Sequence, residues 1–136
     1  MTIAMHAQPP HVESVVQPAV RLRQDGLPTP ERQYAMWMHL SPLLAFLVLG
    51  PLALAAPLVM WLIRKDSSPF ADDHGKEVVN MSITGAIVTF LAWIPVIGWF
   101  GAPIWMIVAI ISIIRGSMAA NNGEYFRYPL TCRFIG

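Results

Sequence analysis

Between residues 78 and 114 the chain carries no Asp, Glu, Lys, Arg or His, a gap of 37 positions. Charge is scarce elsewhere too: 12% of the 136 residues are charged and 55% are hydrophobic, whereas soluble domains are about 25% charged. A conventional soluble core is therefore not expected. The formal net charge of +1 leaves no basic field of the kind that nucleic-acid binding requires, so nucleic acid is not an expected partner. The single cysteine, Cys132, excludes an intrachain disulfide and a cysteine-cluster metal site; its expected role is that of a small packing residue. The first eight residues lack the basic start and the apolar stretch of about 7–15 residues that mark a secretory signal, so no cleavage is expected.

What the chain does have is apolar length. A bilayer core about 30 Å thick is crossed by roughly 20 helical residues, so residues 78–114 are too long for one crossing and suit two short ones joined by a turn. Residues 94–103 supply that turn. They hold Pro95, Pro103, Gly98 and Gly101, which interrupt helices, and lie among Trp93, Trp99 and Trp105, whose rings favour the membrane interface.

A second apolar region covers residues 34–63, bounded by Arg32 and by Arg64-Lys65, with His39 near its start and Gly50-Pro51 in its middle. Thirty helical residues would extend about 45 Å. Either one long kinked helix crosses once, or two short helices, 34–49 and 51–63, form a hairpin that enters and returns. Lys and Arg near membrane segments favour the cytoplasmic side. The basic residues fall into three groups, Arg21, Arg23 and Arg32, then Arg64, Lys65 and Lys76, then Arg115, Arg127 and Arg133, and none lies near Gly50 or Gly98. All three groups share one side only if the first region returns. The favoured architecture is an all-α integral membrane protein of four helical segments arranged as two hairpins, with three crossings as the alternative. It is expected in a prokaryotic cytoplasmic (inner) membrane, multi-pass, with both termini cytoplasmic. The short first pair, roughly 24 and 20 Å long, requires local bilayer thinning or burial against the other helices. Residues 1–33, with five scattered prolines and no sustained period, read as a disordered tail ahead of a helical membrane domain at 34–136.

Helix contacts in lipid depend on small residues. Ser82, Gly85 and Ala86 supply some, and Ala109, Ser112, Gly116 and Ala120 form a stripe on the last helix. The stripe suits intramolecular packing or the docking of a partner. In the central polar loop, Asp72 or Asp73 is positioned to cap the next helix and Glu77 sits favourably near its positive end. Asn80 is expected to bond a neighbouring helix or a backbone carbonyl. Adjacent Asp72, Asp73 and His74 do not have an accepted metal-ligand spacing, so no metal and no cofactor is expected. Asn121-Asn122-Gly123 is a helix stop, and the aromatic and arginine residues after it suit a segment folded back along the cytoplasmic interface.

Several motifs are shared with a known group. His39-Leu40-Ser41, Pro57 through Lys65, Ser68-Pro69-Phe70, Asp73 through Glu77 with Asn80, Asn121 through Tyr125, and Arg127-Tyr128-Pro129-Leu130 together resemble the DUF4870 family of small prokaryotic membrane proteins, described as Tic20-like. The resemblance covers about residues 34–135. It implies a helical membrane fold, a fold-level analogy to an import-channel component, and no catalytic motif.

Three functions remain open on these residues. His39 and His74, brought to one interface near Asp72, Asp73 or Glu77, would begin an acid–base site. A homo-oligomeric channel or transporter for a small solute is a second reading, although solute pathways are usually marked by ionisable residues within the span. The favoured reading is a non-enzymatic accessory or scaffold subunit of a membrane complex, one that handles protein insertion or transport by the family analogy. Its expected partners are the lipid bilayer and a membrane protein or a second copy of itself. The residues expected to form its interaction or structural motif are His39, Asp73, His74, Lys76, Glu77, Asn80, Glu124, Arg127 and Tyr128, with Glu77 or Asp73 pairing with Arg127.

Overall fold

The computed structural model describes residues 22–136, so residues 1–21 of the expected tail lie outside it. The described chain is all helical apart from its two ends and short connections. Helix α1 runs Thr29–Leu49, a 3-10 turn Gly50–Leu54, α2 Ala55–Arg64, α3 Pro69–Leu91, a π-helical turn Ile97–Gly101 and α4 Ala102–Asn121. Helix α1 therefore starts five residues earlier than the sequence suggested. Pro30 within its first turn accounts for this, because proline is preorganised for that position.

The apolar region at 34–63 breaks at Gly50. Its backbone adopts φ +53°, a left-handed value that side-chain-bearing residues avoid, and α1 stops there rather than kinking onward. Helix α2 then runs back along α1. The Tyr34 hydroxyl donates to the Met60 carbonyl at 2.7 Å, and the Arg64 guanidinium lies 5.1 Å from the centre of the Tyr34 ring.

Helix α3 is capped by Ser68, whose hydroxyl accepts from the Ala71 amide at 3.0 Å, with Pro69 next. The cap expected from Asp72 or Asp73 is corrected: both carboxylates lie inside the helix. Asp72 instead accepts from the Trp61 indole at 2.8 Å and pairs with Lys76 at 2.9 Å, joining α2 to α3. The Ser68 hydroxyl also bonds Glu31 of α1. At the other end α4 stops as its Asn-Asn-Gly signal requires, with Gly123 at φ +76°.

Small residues decide how closely the helices meet. Ala109, Ser112, Gly116 and Ala120, the stripe on α4, are all buried within the chain. At Gly116 a β-carbon would come within 2.6 Å of His39 Nδ1 and 3.1 Å of Phe126, so α1 and the C-terminal segment press on α4 there. Gly75 of α3 is crossed in the same way by the Trp61 ring, and Gly85 by Trp105. Val78, Met81, Ala109, Ile113, Ala119, Phe126 and Tyr128 make one core cluster; Ala35, Met38, Phe70, Ala71 and Ala120 make a second.

Both ends of the described chain join at the polar end of these helices. The Gln24 amide donates to the Gly123 carbonyl at 2.9 Å and the Tyr125 amide to the Leu22 carbonyl at 2.8 Å, so residues 22–24 run against 123–125. Cys132, expected to pack, is exposed. This position serves through its backbone, since the Cys132 amide donates to Thr84 Oγ1 at 3.1 Å. The opposite end is bare and apolar, with Trp93 88% and Trp99 79% exposed. One continuous helical stretch, Ile97–Asn121, is long and apolar enough to cross a membrane; Leu52–Arg64 is apolar but shorter.

Overpacking a tight contact costs about 1–3 kcal/mol. Gly116→Ala should therefore lower the thermal midpoint of the detergent-solubilised protein, whereas Ala119→Gly, a loss of side chain on the same helix, should not disturb the His39 environment seen by NMR. A melt for Gly116→Ala that matches wild type would show that α1 and α4 do not meet at this contact.

Candidate functional site

His39 projects from the middle of α1 and His74 from the first turns of α3, and neither is exposed at all. Their rings meet edge to face, with His39 Nε2 2.7 Å from His74 Nδ1. The other nitrogen of His39, Nδ1, lies 2.6 Å from the Tyr128 hydroxyl, and the remaining nitrogen of His74, Nε2, is buried without a hydrogen-bond partner among the described residues. These distances form one chain of hydrogen bonds. With the Tyr128 hydroxyl as donor to His39 Nδ1, His39 carries its proton on Nε2 and donates it to His74 Nδ1, which leaves the His74 proton on Nε2. Burial, and then the Glu77 carboxylate, push the Tyr128 hydroxyl to a higher pKa, which keeps its proton available for this bond. Phe70 and Tyr125 enclose His74, their ring centres 4.4 and 6.0 Å away.

Around this neutral chain lies a charged clasp. Arg127 forms a two-pronged pair with Asp73, with both nitrogen–oxygen distances 2.6 Å. The Asp73 hydrogen bond is the main reason that Arg127 holds its proton more tightly than usual. Glu77 is buried and satisfied on both oxygens: Arg133 Nε lies 3.1 Å from Oε1, and the Tyr128 amide donates to Oε2 at 3.1 Å. Asn80 accepts from the Phe134 and Ile135 amides at 2.9 Å each and donates to the Ile135 carbonyl at 2.9 Å. These three α3 residues, spaced three and four apart on one face, thus hold the C-terminal segment at successive points.

The structure brings His39, His74 and Tyr128 together, and Asp73, Glu77, Asn80 and Arg127 beside them. Glu124 lies opposite Arg23 in the paired ends. Lys76 is turned away to Asp72. The open interfacial placement expected for the two histidines is corrected: both are enclosed, because α4 presents Gly116 and lets the rings enter. The nearby carboxylates face Arg127 and Arg133 and not the imidazoles. Arg133, Thr84, Tyr125 and Gly116 complete the arrangement and were absent from the sequence-derived set. The aromatic and arginine pattern of the tail and the small-residue stripe were their only signals. Among the described residues no group of three or more His, Cys, Asp or Glu could hold a metal ion. Chemically the arrangement is a latch, which fixes α1, α3, α4 and the C-terminal segment.

Two consequences are measurable. Burial pushes His74 from the ordinary 6.5 down to about 4, with Asp73 raising it and Arg127 lowering it less strongly. The unfolded chain therefore takes up a proton below about 6.5 that the folded site refuses until about 4. Stability should fall as pH is lowered through that window, and His74→Gln should weaken the dependence of the melting midpoint on pH within it. Asp73→Arg and Arg127→Asp should each lower the midpoint, and the double exchange should recover part of the loss. A double variant no better than either single one would remove the pairing from the account of stability.

The family model of the magnetosome magnetite crystal formation proteins matches residues 30–135, nearly the whole described chain. No curated protein and no solved structure matches. The DUF4870 and Tic20-like resemblance is thereby corrected, since the matching family is a different one, and the import-channel analogy goes with it. The family and the apolar stretch Ile97–Asn121 agree on a membrane-associated protein. By a match spanning most of its length, the chain belongs to the magnetosome magnetite crystal formation protein family.

Proposed function

We propose that this chain is a non-enzymatic accessory protein of a membrane at which magnetite crystals form, entering the bilayer from one side as two hairpins of unequal depth. The carrying observation is the separation of chemistry within the molecule. The candidate site's ionisable groups are spent on one another at one end, and the other end offers only apolar surface. Acid–base catalysis needs an accessible group, and the histidine pair has none. A solute path needs free polar groups within the span. Yet the Ser82, Thr84, Thr89 and Ser117 hydroxyls each donate to a carbonyl of their own helix four residues back.

The depths follow from helix rise. His39, His74 and Gly116 meet at one level, and at about 1.5 Å per residue Gly50 lies about 16 Å beyond it while Ile97 lies about 28 Å beyond. Against a hydrocarbon core of about 30 Å, the hairpin of α1 and α2 ends near the midplane and that of α3 and α4 nearly reaches the far side. Arg64, Lys65 and Arg115 ring the near boundary, which favours placing the polar end in the cytoplasm. Trp93 and Trp99 then meet the far interface. What such a protein contributes is association, with lipid around its apolar sides and with neighbours through its rigid polar cap.

Expression in a magnetite-forming bacterium stripped of its own member of the family provides the test, with crystals measured by electron microscopy. Restored crystal size or number is the expected outcome. Crystals unchanged from the deletion strain, with the protein present in the membrane fraction, would overturn the reading.

A further inference from the structure

The structure holds a cavity between α1, the 3-10 turn, α3 and α4, which runs from Pro42 and Ile113 past Gly50 to Thr89. Its volume is about 380 Å³, within the roughly 300–1,000 Å³ of small-ligand pockets. Gly50, Ala53 and Leu54 of the 3-10 turn form its floor, and α3 and α4 wall it through Ala86, Trp105 and Met106 among others. No charged residue lines it. Its hydroxyls are already committed, Ser82 to the Val78 carbonyl and Thr89 to the Gly85 carbonyl, both at 2.8 Å.

A ligand in this cavity therefore meets no charge and no free hydroxyl donor, which favours hydrocarbon over a polar solute. The way in is lined by apolar side chains exposed on the outer surface, Phe46 and Met106 being 58% and 55% exposed. At its outer end, Thr89 is shared with a second groove lined by Trp93, Pro95 and Trp99 at the hairpin tip. The first groove is mainly apolar and the second is bordered by rings that favour the headgroup layer.

We infer that this cavity is a binding site for an acyl chain of a phospholipid from the far leaflet, its tail lying over the Gly50 turn and its polar end beside Trp93 and Trp99. The inference rests on the proposed unequal insertion of the two hairpins. The bound chain fills the space between α1, α3 and α4 and continues past the Gly50 turn. It also covers the backbone of the 3-10 turn, which in hydrocarbon must be shielded.

The test is native mass spectrometry of protein extracted in mild detergent from vesicles of phosphatidylethanolamine and phosphatidylglycerol. Wild type should retain a single phospholipid, and Ala53→Phe and Ala86→Phe, which fill the cavity from two different elements, should lose it. Ile107→Phe on the outer face should retain it. No retained lipid in wild type, or undiminished retention in folded filled variants, would overturn the site. Should both filled variants fail to fold, vesicles of 9,10-dibromostearoyl phosphatidylcholine supply an independent reading. The bromines should quench a fluorescence component of wild type that Trp105→Phe lacks, and equal quenching of the two would count against the site. Alkaline carbonate extraction separates the two levels of failure. Release of the chain into the supernatant would remove the membrane disposition itself, whereas a retained chain without lipid removes only the cavity assignment.

Discussion

The hydrogen-bond chain from Tyr128 through His39 to His74 is the constraint on which the rest of the arrangement depends. Two imidazoles and a phenol sit in the densest part of the molecule, where an unpaired polar atom would cost about 1–3 kcal/mol. The two bonds that join them form only if α1, α3 and the C-terminal segment hold their places together. A shift of one helix by a single turn would strand at least two of the three groups. Apolar packing alone tolerates sliding, since one leucine contact resembles another, but a directional chain has one register. Gly116 is the condition that lets the chain exist at all, because any side chain there would occupy the space of the His39 ring.

The C-terminal segment has no regular structure of its own, so its backbone groups must find partners elsewhere. Helix α3 provides them. Glu77 and Asn80 accept three backbone amides of the segment between them, Asn80 donates to the Ile135 carbonyl, and Thr84 takes the Cys132 amide. Arg127 and Arg133 return the favour electrostatically to Asp73 and Glu77. The buried Glu77 carboxylate is tolerable because two arginines and an amide surround it; without them it would be an uncompensated charge. Helix α3 thus works as a docking rail along its polar third and as a membrane-compatible helix along the rest.

Much of the helical layout was legible before any coordinates. The break at Gly50 follows from glycine's freedom at positive φ and the end of α4 from Asn-Asn-Gly. The turn expected at residues 94–103, by contrast, falls earlier, at 92–94. The helical stretch Ile97–Asn121 runs through Gly98, Gly101 and Pro103, because only the backbone ahead of Pro95 leaves the helix. The pairing of Asp73 with Arg127 was among the expectations, because opposite charges on a loop and a tail of one side have few other partners. Other features were misplaced for identifiable reasons. Ser68 precedes a proline and so takes the cap that two aspartates seemed to offer. Cys132 lies on a segment where the backbone, not the side chain, makes the contact. The family resemblance was drawn from short shared motifs, and the match over residues 30–135 assigned a different family.

Sequence by itself determined the local and the compositional: where helices start and stop, which stretches avoid water, and that no basic field exists for nucleic acid. These depend on neighbours along the chain, through backbone stereochemistry and transfer free energy, so they can be read in order. Tertiary structure alone decided that residues 39, 74 and 128 form one hydrogen-bonded chain, that residues 22–24 pair with 123–125, and that α1, the 3-10 turn, α3 and α4 enclose a cavity. Those facts join positions far apart in the sequence. They depend on the exact distance between helix axes, which a few small residues such as Gly75, Gly85 and Gly116 set only once the rings that cross them are in place.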